Sequence, residues 1–348
     1  MAYTEIDDPS AYFQTKLYTA ADAYTFDGNS DMQPDFVWIK ERNGTNEHNL
    51  FDSVRGTTKR LESSTNAAEQ TSSTTLTAFG SDGFTVGNNG GTGQNGGNYV
   101  GWGWKAGTSV SGNTTGSGTA KAYTGSVSTA SGFSIVKYVG NGSAGHTIPH
   151  HLSDTPDLVI SKKTSGSGTW FTWGNPLGSN QILELNATSA KYNPNGNYHN
   201  DTMPSSSVVT LGSDGEVNEN DATYILYCFA SKKGYSKIGS YTGNGNADGT
   251  FVYTGFKPAW IMFKSSSTGS RQWEIHDNKR DTFNPSSKRI FANLSNAEAT
   301  ENYVDFLSNG FKFRTTDVTG NESGSTYIYM AFAEQPFVTS TGIPATAR

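Results

Sequence analysis

Four short patterns recur three times in the same order along this chain, and that repetition limits the fold more than any other feature. The first ends in Tyr: KLYT at Lys16–Thr19, IVKYVGNG at Ile135–Gly142 and IGSYTGNG at Ile238–Gly245. The second is Pro with an apolar run closed by Lys: PDFVWIK at Pro34–Lys40, PDLVISK at Pro156–Lys162 and PAWIMFK at Pro258–Lys264. A turn follows, GSDGF at Gly80–Phe84, GSDGE at Gly212–Glu216 and LSNGF at Leu307–Phe311. The last is YVGWGWK at Tyr99–Lys105, YILYCFA at Tyr224–Ala230 and YIYMAFA at Tyr327–Ala333. From the Tyr to the Pro the intervals are 16, 18 and 17 residues. From the turn Gly to the last Tyr they are 16, 9 and 17, so the middle copy reads as having a shortened loop.

The patterns alternate with period two, which predicts strands. Val100, Trp102 and Trp104 share one face, as do Ile225, Tyr227 and Phe229, and Ile328, Met330 and Phe332; that face should be core. The opposite face carries Gly103, Cys228 and Ala331 at one position, so a close neighbour is expected there, and Cys228 reads as a small buried residue. SDG and SNG are turn residues. The one stretch with helical character is Asp52–Glu69, although Gly56 and its Ser and Thr residues oppose it. Each copy spans roughly 100 residues, the size of a single β-sandwich. The expected fold is therefore all-β, with three tandem antiparallel β-sandwich repeats of jelly-roll or lectin-like type. Their bounds are 1–106, 132–234 and 235–337. Residues 107–131, rich in Gly, Ser and Thr, read as a linker or an extended surface strand, and 338–348 as a polar tail.

Composition fits that reading: 40 Gly, 12% aromatic and 16% charged residues suit short strands joined by many turns. A net charge of −6 supplies no basic field for nucleic acid or anionic lipid. No run approaches the ~20 apolar residues of a membrane span, and the opening MAYTEIDDPSAYF lacks the pattern of a secretory leader. With one cysteine no intrachain disulfide can form.

The series PDFVWIKER, GSDGFTVG, YVGWGWKAG, YTGNGNADGTFVYTGFKPAWIMFK, DFLSNGFKFR and TYIYMAFAEQPF resembles a repeat common in predicted tail-fibre and other virion proteins of marine and environmental bacteriophages. The similarity runs from Tyr12 to Phe337. It implies a virion structural protein. The first expectation is a host-facing appendage binding a cell-surface glycan or protein; the alternative is a capsid-decoration, head-fibre or tail-adaptor protein with a purely assembly role. The implied partners are other virion proteins and further copies of the chain. No cofactor and no catalytic residue follow from it.

Candidate sites lie where the copies differ. The middle copy has an extra loop, Lys191–Ser207, and an unmatched Trp173, since His276 stands at that place in the third copy. An aromatic face beside a polar loop suits a sugar ring, so Trp173, Tyr192, Tyr198 and His199 are candidate ligand-binding residues, with core packing the competing reading for Trp173. Trp170 and Trp273, 14 and 15 residues after their Pro, read as equivalent core positions. The Asp-x-x-Arg pairs, Asp52 with Arg55 and Asp277 with Arg280, are absent from the middle copy; each reads as an ion pair or, for Asp277 and Arg280, a ligand clamp. Asp214, Glu216, Glu219 and Asp221 form the nearest approach to a Ca²⁺ loop without the order of an EF-hand, so a solvated turn is the plainer reading. The six histidines, including the adjacent His150 and His151, read as surface polar residues, because neighbours in a strand face opposite ways. Scattered carboxylates offer no paired acid and base for glycan cleavage. Val338, Ile343 and Arg348 are the candidate assembly contacts, since terminal segments stay loose unless tied down.

Overall fold

A computed structural model describes residues 4–346, and it is almost entirely antiparallel sheet. Among these residues α-helix is confined to the single turns Gly215–Asn218 and Val318–Asn321. Three four-strand arrays dominate. In chain order, the opening strands are Phe13–Tyr18, Phe133–Val139 and Ser236–Thr242, and the second strands Phe36–Glu41, Leu158–Lys163 and Phe256–Ser265. Third strands are Asn49–Asp52, Phe171–Gly174 and Glu274–Asp277; closing strands are Tyr99–Trp104, Thr223–Phe229 and Thr326–Pro336. In each array the spatial order is opening, closing, second, third. The registers coincide: Trp104 faces Phe13 and Phe36, Phe229 faces Phe133 and Leu158, and Phe332 faces Ser236 and Trp260. We refer to residues up to 106, 132–234 and 235–337 as segments 1, 2 and 3.

The alternation predicted for the closing strand is present, and its aromatic face does more than fill one segment. Trp102 and Trp104, Tyr227 and Phe229, and Met330 and Phe332 all enter a single apolar core with Phe36, Ile160 and Trp260. Trp104 and Trp260 meet edge to face at 5.6 Å, Phe36 and Tyr227 lie tilted at 4.9 Å, and Phe229 and Phe332 meet edge to face at 6.1 Å, so each segment touches both others. A buried aromatic of this size removes about 150–250 Å² from water, worth roughly 4–6 kcal/mol per ring at about 25 cal/mol per Å². The opposite face of each array is covered by its own segment's outer strands, giving three separate outer cores. The small residues of that face have the close neighbour their size implies. A Cβ on Gly103 would lie 2.6 Å from the Phe26 ring, while Cys228 and Ala331 are fully buried in the corresponding outer cores.

Two expectations change, and one open choice is resolved. Asp52–Glu69 is not helical. The Asp52 carboxylate takes the Arg55 N–H at 2.8 Å, offering the backbone a turn instead, and Gly56 follows at φ +97°. Of the two readings of 107–131, the extended strand holds: Thr108–Asn113 and Ala122–Ser128 extend the segment 2 sheet, with Ser126 opposite Ile135, and Thr115–Gly116 joins a second sheet. GSDGE is not a hairpin turn; Asp214 caps the Gly215–Asn218 turn by accepting the Glu216 N–H. Its structural counterparts stand ten residues before the closing-strand tyrosine, namely Asn89 before Tyr99, Asp214 before Tyr224 and Asp317 before Tyr327. Those tyrosine hydroxyls donate to the carbonyl one residue after the cap, at Gly90, Gly215 and Val318, over 2.7–2.8 Å. The odd interval of 9 therefore came from pairing unlike turns, not from a shortened loop.

Candidate functional site

The polar chemistry of the molecule is concentrated along the seams where segments meet. Four residues before the end of each third strand stand His48, Trp170 and Trp273, and each reaches into a neighbour. Trp170 donates its indole N–H to Glu62 O of segment 1 at 2.8 Å, and Trp273 donates to Glu184 O of segment 2 at 2.9 Å. His48 lies 2.9 Å from Phe291 O of segment 3 and accepts the Trp38 N–H on Nδ1 at 2.8 Å. Burial holds the His48 imidazole well below its usual range, so it is neutral with its proton on Nε2. Segment 2 bonds to 1, 1 to 3 and 3 to 2, which closes a ring.

The Asp-x-x-Arg pairs belong to the same ring. Asp277 Oδ2 accepts from Arg280 Nε at 2.5 Å and from the Trp102 indole of segment 1 at 3.0 Å. Asp52 Oδ2 accepts from Arg55 Nε at 2.5 Å and from the Tyr227 hydroxyl of segment 2 at 2.7 Å. All four charged side chains are fully enclosed, and each guanidinium also meets a carboxylate, Glu69 for Arg55 and Glu298 for Arg280. Trp102, Tyr227 and Met330 occupy one closing-strand position. The third acid position is Gly174, where a Cβ would lie 2.0 Å from Asp157 O. In segment 2 the backbone leaves no room for an acid at this position. As a ligand clamp, Asp277 and Arg280 are unavailable: their polar atoms are spent inside the protein.

The lysines that close the second pattern are buried and bonded to carbonyls. Lys40 Nζ donates to Glu41 O and Gly44 O, Lys162 to Lys163 O and Asn66 O, and Lys264 to Ser265 O and Ser189 O. Desolvation lowers each to about 8. Between pH 8 and 10.5 the folded lysines are neutral while those of the unfolded chain stay protonated. The unfolded state then binds more protons, and stability rises with pH by at most about 1.4 kcal/mol per unit per lysine. Above pH 10 the sign reverses, because buried tyrosines such as Tyr327 and Tyr329, pushed up to about 12 mainly by burial, remain protonated only in the fold. The thermal midpoint should climb from pH 8 to near 10 and then fall; a flat or falling profile from pH 8 would refute the lysine assignment.

The other predicted site residues are placed individually. Trp173 is 1% exposed and packs in the outer core of segment 2, beside His199 at 6.1 Å, so its face is closed to a sugar ring. Tyr198 stacks on Phe171 at 4.1 Å, and the Tyr192 hydroxyl donates to Glu184 at 2.7 Å. The Lys191–Ser207 loop thus turns its aromatic side chains inward, where they cap the segment 2 core. The four acidic residues point to separate partners: Asp214 to Glu216 N, Glu216 to Thr169 N, Glu219 to Lys163 and Asp221 to Lys121. No group of three or more His, Cys, Asp or Glu able to hold a metal occurs among the described residues. Cys228 is buried and burial pushes its thiol up. Val338 bridges Pro344, Ile343 is 60% exposed, and Arg348 lies outside the described residues.

Five of the six histidines are buried, against the surface reading, because each neutral ring finds a place in the packing: His146 bonds to Asn141, His150 to Ser205 O and His276 to Glu274. The last pair belongs to a cluster that no sequence pattern marked. Glu274 and His276 are fully enclosed and 2.8 Å apart, with the His276 ring stacked on Phe263 and Tyr303. Burial raises the Glu274 carboxyl and lowers His276, leaving a neutral pair. Its only hint in the sequence is the polar–apolar alternation of EIHD, which also suits a solvated edge.

Open space also lies at the seams. A groove of about 260 Å³ runs between the opening strand of segment 1 and segment 3, and one of about 460 Å³ between the opening strand of segment 3 and segment 2. At the corresponding seam of segments 1 and 2, the Ala122–Ser128 strand fills the place: Ser126 Oγ donates to Asp35 at 3.2 Å.

An all-β body with one core shared by three strand arrays, its polar groups directed into the seams, defines a protein built from contacts between sheets. The chain belongs to the family described as a domain of unknown function (DUF7483), whose model matches residues 8–336. No curated protein and no solved structure matches the chain.

Proposed function

We propose that the chain is a structural protein of a bacteriophage particle, made of three tandem copies of one antiparallel β-sandwich of roughly 100 residues and serving assembly. The observation that carries this reading is the ring of bonds at the seams, in which equivalent positions of three sequence repeats lock each segment to the next. Such a body is a rigid block with fixed outer faces. The repeat patterns that resemble those of virion proteins coincide with the strands that build it. Between the two virion roles, the structure favours assembly over receptor binding, because the aromatic residues peculiar to segment 2, Trp173 and Tyr198, are used internally. The other partners are virion proteins, and the place of action is the particle. Mass spectrometry of purified particles, followed by electron microscopy to locate a three-lobed density, tests this. The chain should co-purify in stoichiometric amount; its absence from intact particles would refute the proposal. Binding on a glycan array by the isolated chain would shift the reading to a host-facing appendage.

A further inference from the structure

The three seams are alike in construction and unlike in occupancy. At the seam of segments 1 and 2, Asp35, which follows the pattern Pro34, takes the Ala106 N–H on Oδ2 at 3.0 Å and the Ser126 hydroxyl on Oδ1. Ser126 sits in the Ala122–Ser128 strand, laid antiparallel on the opening strand of segment 2 opposite Ile135. At the seam of segments 2 and 3, Asp157 follows Pro156 and takes the Ser231 N–H on Oδ2 at 2.9 Å, the same arrangement. Here the opening strand Ser236–Thr242 is an edge of its sheet, bridged only at Ser236 by Lys232, and the 460 Å³ groove lies beside Ser236, Lys237 and Ile238. Ile238 stands where Ile135 stands, each one opposite the central closing-strand residue, Met330 or Tyr227. Its outward N–H is held by Ser231 Oγ at 3.0 Å, and by alternation the N–H of exposed Ser240 also points outward.

The chain carries a second strand of the kind that fills the covered seam. Ser126-Val127-Ser128 has a twin in Ser109-Val110-Ser111, within Thr108–Asn113. That strand is the outermost of its sheet, is exposed at every position but Val110, and has no charged residue or proline. Natural edges are usually protected by such residues, and an unprotected edge is a template for pairing. The Thr114 N–H donates to Lys121 O at 2.7 Å, so alternation turns the N–H groups of Ser109 and Ser111 away from the hairpin.

We propose that Thr108–Asn113 of one copy adds antiparallel to the Ser236–Thr242 edge of a second copy, with a serine hydroxyl of the Ser-Val-Ser triplet reaching Asp157 as Ser126 reaches Asp35. Strand addition of this kind draws affinity from main-chain bonds. Donor and acceptor surfaces differ, so the contact is head to tail and extends into chains of molecules unless it closes on itself. It concerns the isolated chain and stands apart from the particle assignment: self-association without incorporation into particles would leave it intact.

Sedimentation of the full chain across a dilution series tests it, with two variants that each remove one outward N–H. Ser111→Pro blocks the donor edge and Ser240→Pro the acceptor edge, both at positions where an edge tolerates proline. Unchanged circular dichroism spectra and melting show that each still folds. Parent protein should grow in mass with concentration, and each variant alone should sediment as a monomer. A mixture of the two should form a dimer and stop, because one open donor and one open acceptor remain. A monomeric parent at all concentrations would overturn the proposal. So would association abolished by Ser111→Pro but untouched by Ser240→Pro, the result for two donor strands pairing with each other.

Discussion

An Asp277→Ala chain should unfold in urea about 3–5 kcal/mol more readily than the parent, the usual cost of leaving one member of an enclosed ion pair without its counter-charge. Arg280 would keep Glu298 at 3.2 Å but lose the bond at Nε, and the Trp102 indole N–H would be stranded. Trp102→Phe removes that donor without emptying the core. In a double-mutant cycle with Asp277→Ala the two changes should couple by about 0.5–3 kcal/mol, as contacting groups do. The same cycle on Asp52 and Tyr227→Phe should behave alike, because the geometry is repeated at 2.7 Å. A loss below about 1 kcal/mol, the scale of a surface pair, would show that the carboxylate is not the counter-charge. Gly174→Asp, which would restore the missing acid to segment 2, should destabilise, since its Cβ would collide with Asp157 O.

Trp104→Ala should lower stability by about 3–5 kcal/mol, the range for deleting a large buried aromatic, and it should do so for the whole molecule. Trp104 touches Phe13 and Phe36 of its own segment and Trp260 and Phe332 of segment 3. Near-ultraviolet circular dichroism, far-ultraviolet circular dichroism and limited proteolysis within segment 2 should therefore shift to one common midpoint. Separate transitions for the segments would mean that the shared core does not couple them. Trp104→Phe should cost much less. It keeps an aromatic ring in place and removes a buried indole N–H that has no hydrogen-bond partner.

The strand arrays were legible because Trp102, Tyr227 and Met330 sit in period-two runs that recur in one fixed order with three other patterns, and period two has one structural meaning. What those runs faced was not legible. An aromatic face reads the same whether it fills one sandwich or meets two others, since hydropathy reports burial and not the identity of the neighbour. The Gly/Ser/Thr composition of 107–131 left linker and extended strand equally open for a related reason: its strands are held by main-chain bonds at an edge, where side chains contribute little. Trp173 carried two readings, a sugar-binding face and core packing, and the packing one holds. Phe51 and His276 hold the same register position, and all three are buried. The Asp-x-x-Arg pairs were visible as pairs, whereas Tyr227 and Trp102, the partners that donate to their acids, lie 175 residues away from them.

The common core also sets an order of events at the ribosome. Trp102 and Trp104 emerge early, yet the Trp260 and Phe332 rings that cover them belong to the final third of the chain. Elongation runs at about 5–20 residues per second, so on the order of ten seconds or more passes before the last aromatic surfaces can close over the first. Those aromatic faces stay uncovered throughout that interval, and a holding chaperone would act there rather than on the finished protein.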